Sequence, residues 1–349
     1  MSGDKGLYSV IIPVFNDSEN LFQCLSALQS ARKERSVDMI VVDDGSNDDS
    51  ETVARRFDVR YFKNEANKGQ SWCRNFGVSQ TGSEFIIFVD SDVVVFPDFF
   101  ERIDAFACME KSEGLIGLQG VFSLEHPFES WPSQLYNTLQ HLLTRKPRYC
   151  AGINTSALVM NRQAFLDTGG FDEQIWFMED NEFAQRMAAR GMYVLRGNFE
   201  FVHRKHVSWS WLFYTHFLGG KMQHCLSELK STHEIPLPAG VSQNRFFLKN
   251  LGAGMMTLVV AALMIVSDDL LKLVPVILLQ MILIIDVLKE NIALWRVKKN
   301  YYFFITGTCV YLSLPWLIIA GRIMGRFSTP GTRERLLWRK KQTPPIPVR

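Results

Sequence analysis

Paired cysteines are missing from this 349-residue chain. Its six, Cys24, Cys73, Cys108, Cys150, Cys225 and Cys309, stand in no CxxC pair and at no repeated spacing. That argues against a disulfide framework and a cysteine-built metal site, and predicts reduced, mostly buried thiols in a reducing compartment. A dominant charge is missing too. Lys and Arg number 38 against 36 Asp and Glu, a formal net charge of +2, and no nucleic-acid-binding motif appears, so no nucleic-acid partner is expected. Residues 1–6 are short and polar and lack the apolar core of a signal peptide, which predicts that the soluble part stays in the cytoplasm. Long apolar runs are absent from the first two-thirds and gather at 246–326. That shift in composition marks a domain boundary.

What the first two-thirds does hold is organised around Phe85-Ile86-Ile87-Phe88-Val89-Asp90-Ser91-Asp92, a buried-type strand that ends in two carboxylates one residue apart. Unbroken β-branched and aromatic residues suit a central strand covered on both faces. In open α/β sheets ligands sit at the carboxyl ends of such strands. Carboxylates at i and i+2 can turn toward one divalent cation; they equally suit a solvated turn. Ahead of this stretch the pattern predicts a strand over 7–15, a helix to residue 31 capped by Asp17 or Ser18, and a strand over 39–43. A helix to 57 capped by Asp48 or Asp49, a strand over 59–62 and a helix ending at Ser79 follow. This is βαβ order. The polar strand ends Pro13 to Asn16, Asp43-Asp44 and Asp90-Ser91-Asp92 are expected to line one crevice.

Taken together, Ser9-Val10-Ile11-Ile12-Pro13-Val14-Phe15-Asn16, Val41-Val42-Asp43-Asp44-Gly45-Ser46-Asn47-Asp48, Asn67-Lys68-Gly69 with Arg74-Asn75, and Asp90-Ser91-Asp92 resemble the ordered motifs of family 2 glycosyltransferases of the GT-A fold. Four motifs in order are far more specific than any one, and the resemblance covers roughly residues 7–230. It implies an α/β fold with a Rossmann-like, mostly parallel sheet, and a nucleotide-sugar donor. Its site would include Pro13, Asn16, Asp43, Asp44, Lys68, Gly69, Arg74, Asp90 and Ser91, with Pro13 and Asp43 or Asp44 near base and ribose and Arg74 near the base. Asp90 and Asp92 would surround a divalent metal, Mn or Mg, on the diphosphate. The chemistry agrees, because expelling a nucleoside diphosphate requires stabilising the charge that builds on it.

Further along, the pattern predicts a helix over 96–109 with Pro97 in its first turn, a strand over 114–122, and a strand over 150–160. In that last strand Gly152 and Asn154 are small enough to admit a sugar. Residues 125–148, with Trp131, Tyr136, His141 and a basic cluster, read either as an acceptor-side loop and helix or as a surface excursion. Glu179-Asp180 opens a helix whose Phe183 and Met187 face inward. Acids at a helix N-terminus are favoured by its dipole alone; the resemblance implies instead that this pair, followed by Arg186 and Gly191, carries the general base of inverting members, with Asp180 as base. A hydroxyl needs such a proton acceptor before it attacks. His203 is either structural or, as in relatives, a third metal ligand, with His206 as substitute. Trp209, Trp211, Phe213, Tyr214 and Phe217 beside Arg204 and Lys205 suit a membrane interface or a packed helix.

Residues 231–245 read as a linker. Apolar stretches at 251–266, 270–288 and 302–324 predict two or three membrane spans within 246–326, since a span needs roughly 20 residues. The tail at 327–349 is basic and suits an anionic membrane surface. Three crossings that start in the cytoplasm would leave that tail outside, against the positive-inside preference, so either the preference is overridden or one stretch lies in the interface. The expected protein is therefore an integral membrane glycosyltransferase, in the cell inner membrane if bacterial, with a cytoplasmic catalytic domain and membrane lipid among its partners. It would act on a hydroxyl of a membrane-associated glycan or lipid-linked acceptor. A polyprenyl-phosphate glycosyltransferase is the nearest rival, but its ionised acceptor needs no base. A catalytically silent nucleotide-sugar-binding subunit would be expected to lack an acid at 90, 92 or 180, and all three are present.

Overall fold

The computed structural model describes residues 7–109, 114–145, 148–150, 152–175 and 177–215. In its first half strands and helices alternate as β1 (Tyr8–Val14), α1 (Ser18–Arg32), β2 (Val37–Asp43), α2 (Ser50–Ala54), β3 (Arg60–Lys63), α3 (Gln70–Ser79) and β4 (Phe85–Val89). The second half runs β5 (Val93–Val95), α4 (Phe99–Ala107), β6 (Leu115–Phe122), α5 (Trp131–Thr144), β7 (Arg148–Cys150) and β8 (Ala157–Asn161). It closes with α6 (Arg162–Thr168), α7 (Glu179–Ala188) and β9 (Tyr193–His203). All nine strands among the described residues share one sheet in the order β3-β2-β1-β4-β8-β6-β9-β5, with β7 on β9.

The first four strands pair in parallel. Beyond β4 the sheet is mixed: β8 runs antiparallel to both β4 and β6, β6 and β9 are parallel, and β5 and β7 are antiparallel to β9. The expectation of a mostly parallel sheet is corrected here, because β8 enters between β4 and β6 in the opposite sense. A single strand over 150–160 is corrected as well: β7 and β8 are separate, and the loop between them passes Asp90, whose N–H donates to Ser156 O at 3.1 Å. β5 had no signal of its own, being three residues long. Neither Asp17 nor Asp49 caps its helix through its side chain; Asp48 instead accepts the N–H of Ser50, the first residue of α2, at 3.1 Å and that of Ser18, the first residue of α1, at 2.8 Å, and α4 begins beyond Pro97.

Both faces of β1 and β4 are covered, which explains their unbroken apolar runs. Val10, Ile12, Phe85, Ile87 and Val89 pack with α1 and α4, while Ile11, Ile86 and Phe88 pack with α6 and α7. Phe88, Phe165, Phe171 and Phe183 form one cluster with ring centroids 5.0–5.5 Å apart. Burying each ring contributes about 1.5–3 kcal/mol, and this cluster sets the position of α7 beside the end of β4. Gly120 is required by packing, since a Cβ there would lie 2.4 Å from the Phe199 ring.

The expected linker, membrane spans and basic tail lie outside the described residues. No helix among the described residues is long and apolar enough to cross a membrane. Of the aromatic segment, residues 209–215 are helical, with Leu212 fully buried and the Trp211 ring edge-on to Tyr136 at 5.4 Å. Trp211 therefore packs against α5.

Candidate active site

The carboxyl ends of β1, β2 and β4 are tied together by side chains. The Asn16 N–H donates to Ser46 Oγ at 2.9 Å and Asn16 Oδ1 accepts the Asn47 N–H at 2.8 Å. Ser91 Oγ donates to Asp17 Oδ2 at 2.8 Å, joining the end of β4 to the loop after β1. Pro13, half-buried, stands at the end of β1.

Asp43 and Asp44 are both buried and both occupied. Asp43 accepts the Ser46 N–H at 2.6 Å and the Tyr61 hydroxyl. Asp44 accepts the backbone N–H of Lys68 at 2.5 Å, that of Gly69 at 2.7 Å, and Asn64 Nδ2 at 3.0 Å. Carboxylates that collect backbone donors act as loop anchors, so Asp44 holds the 64–69 turn against the end of β2. Gly69 leaves that turn at φ 100°, a region L side chains rarely adopt. The Lys68 ammonium lies 3.9 Å from the Trp72 ring centre.

Arg74, expected near the base, is engaged by protein groups. It is 1 % exposed and spans two acids: Nη2 donates to Asp90 Oδ1 at 2.7 Å and Nη1 to Glu179 Oε1 at 2.9 Å. The Gln70 amide adds a 2.5 Å hydrogen bond to the same Glu179 oxygen. Arg74 thus braces the end of β4 against the start of α7, residues 105 apart in sequence from the far partner. The preceding residue, Met178, sits in the left-handed region at φ 64°, ψ 28°. Such a conformation is costly for a side chain with a Cβ and persists where surrounding structure imposes it.

The two catalytic-pair candidates differ in environment. Glu179 is 4 % exposed; burial, then the neighbouring Asp180 charge, pushes its carboxyl up to about 7 against the pull of Arg74. Asp180 is half-buried, and burial raises its carboxyl. Its Oδ1 accepts the N–H and Nδ2 of Asn181 at 2.7 and 2.9 Å, and Oδ2 makes no hydrogen bond among the described residues. Because the folded Glu179 holds a proton that the unfolded chain releases from pH 4.5 upward, its contribution to stability is full below pH 4.5 and is lost as pH rises through about 7. Denaturant unfolding at a series of pH values should show wild-type stability falling across that window by up to about 3 kcal/mol more than that of Glu179→Gln. Parallel pH curves for the two proteins would remove Glu179 as the source.

Asp92 Oδ1 faces His203 Nε2 at 3.3 Å. Burial would raise the Asp92 carboxyl, but the His203 ring holds it down at about 2. The field of this corner is strongly negative. Burial and then Asp92 raise Asp17 to about 6, and after burial the charges of Asp90 and Asp92 push up the Cys24 thiol and the Tyr136 phenol. His206 packs instead on Phe128 at 5.4 Å. Among the described residues no three metal-type side chains converge closely enough to hold an ion, with Asp90 Oδ1 held by Arg74. The donor set nevertheless fits a divalent cation in kind: hard carboxylate oxygens, one imidazole that suits Mn²⁺, and excess negative charge.

Three residues here were not read from sequence as site residues. In the sequence Asp17 reads as a helix cap, Tyr136 suits an acceptor-side helix or a surface excursion alike, and Gln70 carries no signal.

Residues 9–170 match the family described as Glycosyl transferase family 2. Glycosyltransferase AglE of Haloferax volcanii is 35% identical over 108 residues, 29% of this chain and 36% of that protein. Poly(ribitol-phosphate) beta-N-acetylglucosaminyltransferase TarP of Staphylococcus aureus is 33% identical over 119 residues, 32% of this chain and 36% of that protein. The chain thus matches about a third of the length of each. In fold it is similar to mannosyltransferase PcManGT of Pyrobaculum calidifontis, solved with GDP-Man and Mn²⁺. The TM-score is 0.60 at 12% identity, over 93% of this chain and 88% of that one. The α/β architecture is accordingly that of GT-A glycosyltransferases.

Proposed function

We propose that the protein transfers a sugar, with inversion, from a nucleotide diphosphate sugar to a hydroxyl of a membrane-associated glycan or lipid-linked acceptor. The observation that carries the reading is the Arg74 brace, which sets the Asp90–Asp92 strand end beside the Glu179–Asp180 helix start. A leaving-group site and a proton acceptor are the two parts such a displacement needs. The free Oδ2 of Asp180 takes the hydroxyl proton as the acceptor oxygen bonds to the anomeric carbon and the bond to the diphosphate breaks. Attack opposite the leaving group inverts that carbon. Gln70 and Arg74 fix Glu179, and through it the first turn of α7, so that Asp180 stays aimed at the crevice.

Asp92, His203 and the second oxygen of Asp90 are the residues that would hold a divalent metal, Mn or Mg. Bound there, it would supply Lewis-acid stabilisation of the departing diphosphate. Asp90, Ser91 and the strand-end residues Pro13 and Asn16 line the donor side, with Asp43, Asp44, Lys68 and Gly69 forming the wall behind. Anchoring through the apolar segments at 246–326, with the catalytic domain on the cytoplasmic side, rests on the sequence pattern.

Testing this reading calls for a screen of nucleotide sugars for Mn²⁺- or Mg²⁺-dependent hydrolysis by the full-length protein, run beside Asp92→Asn. The variant is expected to lose at least about 100-fold in turnover, the range for removing a principal electrostatic stabiliser, and to bind Mn²⁺ more weakly by calorimetry. Near-normal turnover and metal affinity in Asp92→Asn would remove the metal assignment; no hydrolysis of any donor by the wild type would remove the activity.

A further inference from the structure

Beyond His203 the chain runs along the acidic corner and is pinned on both sides. The Arg204 N–H donates to Asp92 O at 2.7 Å and Arg204 Nε to Asn20 Oδ1 at 3.0 Å. Three residues on, the Val207 N–H donates to Ser133 Oγ at 2.8 Å and Ser133 Oγ to Val207 O at 3.3 Å, fastening the strand exit to the buried first turn of α5. Lys205 lies between these clamps. Its ammonium stands 4.9 Å from the Trp211 ring centre, and it makes no ion pair among the described residues. Its charge is felt at Asp92.

Trp211 and Tyr136 meet at 89°, so their rings form a right-angled corner. Tyr136 in turn lies 6.3 Å, ring to ring, from His203. Its hydroxyl makes no hydrogen bond among the described residues, and after burial the charges of Asp92, Asp180 and Asp90 raise its phenol. His203, Tyr136, Trp211 and Lys205 thus form a continuous path that leaves the acids and ends in a half-buried cation. The path rests on three contacts, and it ends in a half-buried ammonium that stands over an aromatic ring with no carboxylate in ion-pair range among the described residues, the kind of cation that can meet an anion.

Building on the proposed function, we infer that Tyr136, Trp211 and Lys205 form an acceptor subsite for a sugar that carries a phosphodiester. The perpendicular rings receive the apolar face of the pyranose, since aromatic walls with a few placed polar groups are how small-ligand sites are lined. Lys205 takes the phosphate oxygens as a charge-assisted donor. The Tyr136 hydroxyl is left to meet a sugar hydroxyl beside Asp180. The same phosphate chemistry exists in the donor diphosphate, and the experiment separates the two sources.

Affinities are measured on the full-length protein by calorimetry for three probe sets: methyl hexosides, the matching hexose 1-(methyl phosphates), and UDP and GDP with Mn²⁺. Wild type is expected to bind the phosphodiesters about 10-fold more tightly than the neutral glycosides, the size of one charge-assisted contact. In Lys205→Met, which keeps an apolar stem on Trp211, that ratio should fall to near one while nucleoside diphosphate affinity falls less. Trp211→Leu should weaken both glycoside sets together. Equal affinity for the two sets in wild type, or a loss in Lys205→Met as large for the nucleoside diphosphates as for the phosphodiesters, would overturn the acceptor assignment. Failure to bind any nucleoside diphosphate would count against the proposed function itself, a separate result.

Discussion

Asp180→Asn should lower transfer to a hydroxyl acceptor by roughly 100-fold or more while donor affinity is spared. Asparagine keeps the shape and can still meet the Asn181 N–H, so the first turn of α7 should survive. What it lacks is a basic oxygen at Oδ2, the position left free in the structure. Burial raises the Asp180 carboxyl, and a base whose proton affinity is raised toward the working pH accepts a proton more effectively. Transfer and donor binding are measured separately, using a membrane extract and defined polyprenyl phosphate as acceptors. Robust transfer to polyprenyl phosphate by wild type and variant alike would replace the hydroxyl acceptor with an already ionised one, for which no base is needed.

Arg74→Met is expected to have the largest effect on stability. The change leaves two carboxylates with no shared cation in a site where Arg74 and Glu179 are almost wholly buried. Removing one partner from a buried ionic group typically costs 3–5 kcal/mol, because the remaining charge is stranded. For a domain of this size that corresponds to a fall in melting temperature on the order of 10 °C. Part of the loss should return in the Arg74→Met, Glu179→Gln double variant, since the neutral amide removes one stranded charge; such non-additivity is the signature of contact. Arg74→Lys should fare better than Met yet not restore wild type, because an ammonium cannot present two parallel donors to acids on opposite sides. An unchanged melting temperature in Arg74→Met would mean that the brace does not operate in solution.

Much of the strand framework was visible in the sequence because buried strands write it as unbroken apolar runs: Val10-Ile11-Ile12 and Phe85 to Val89 are fully covered on both faces. Helix α7 was visible through the spacing of Phe183 and Met187. What could not be read was pairing sense. Nothing in Ala157–Asn161 distinguishes a strand that runs against its neighbours from one that runs with them, since both present the same apolar faces. β5 was hidden by its length of three residues. At the site, residue types were legible and partnerships were not. Arg74 has the look of a ligand-facing cation in the helix after the Asn67-Lys68-Gly69 turn, and only the fold shows two acids closing on it from positions 90 and 179. Asp44 likewise reads as a ligand contact, and its hydrogen bonds to the amides of Lys68 and Gly69 are visible only in the fold.

The place of β9 carries a consequence for how the chain comes to life on the ribosome. Val93 of β5 pairs with His203, Val94 with Val202 and Val95 with Phe201, and β6, made well before, waits for the same strand. Domains tend to fold from the N-terminus as they emerge, so β1 to β4 can assemble early. During all the synthesis between Val95 and Phe201, Asp92 has neither the imidazole it faces nor the strand that covers it. The last of the described strands to be made is thus the one that completes the pocket, and a nascent chain halted before it would display the acids without the imidazole that Asp92 faces.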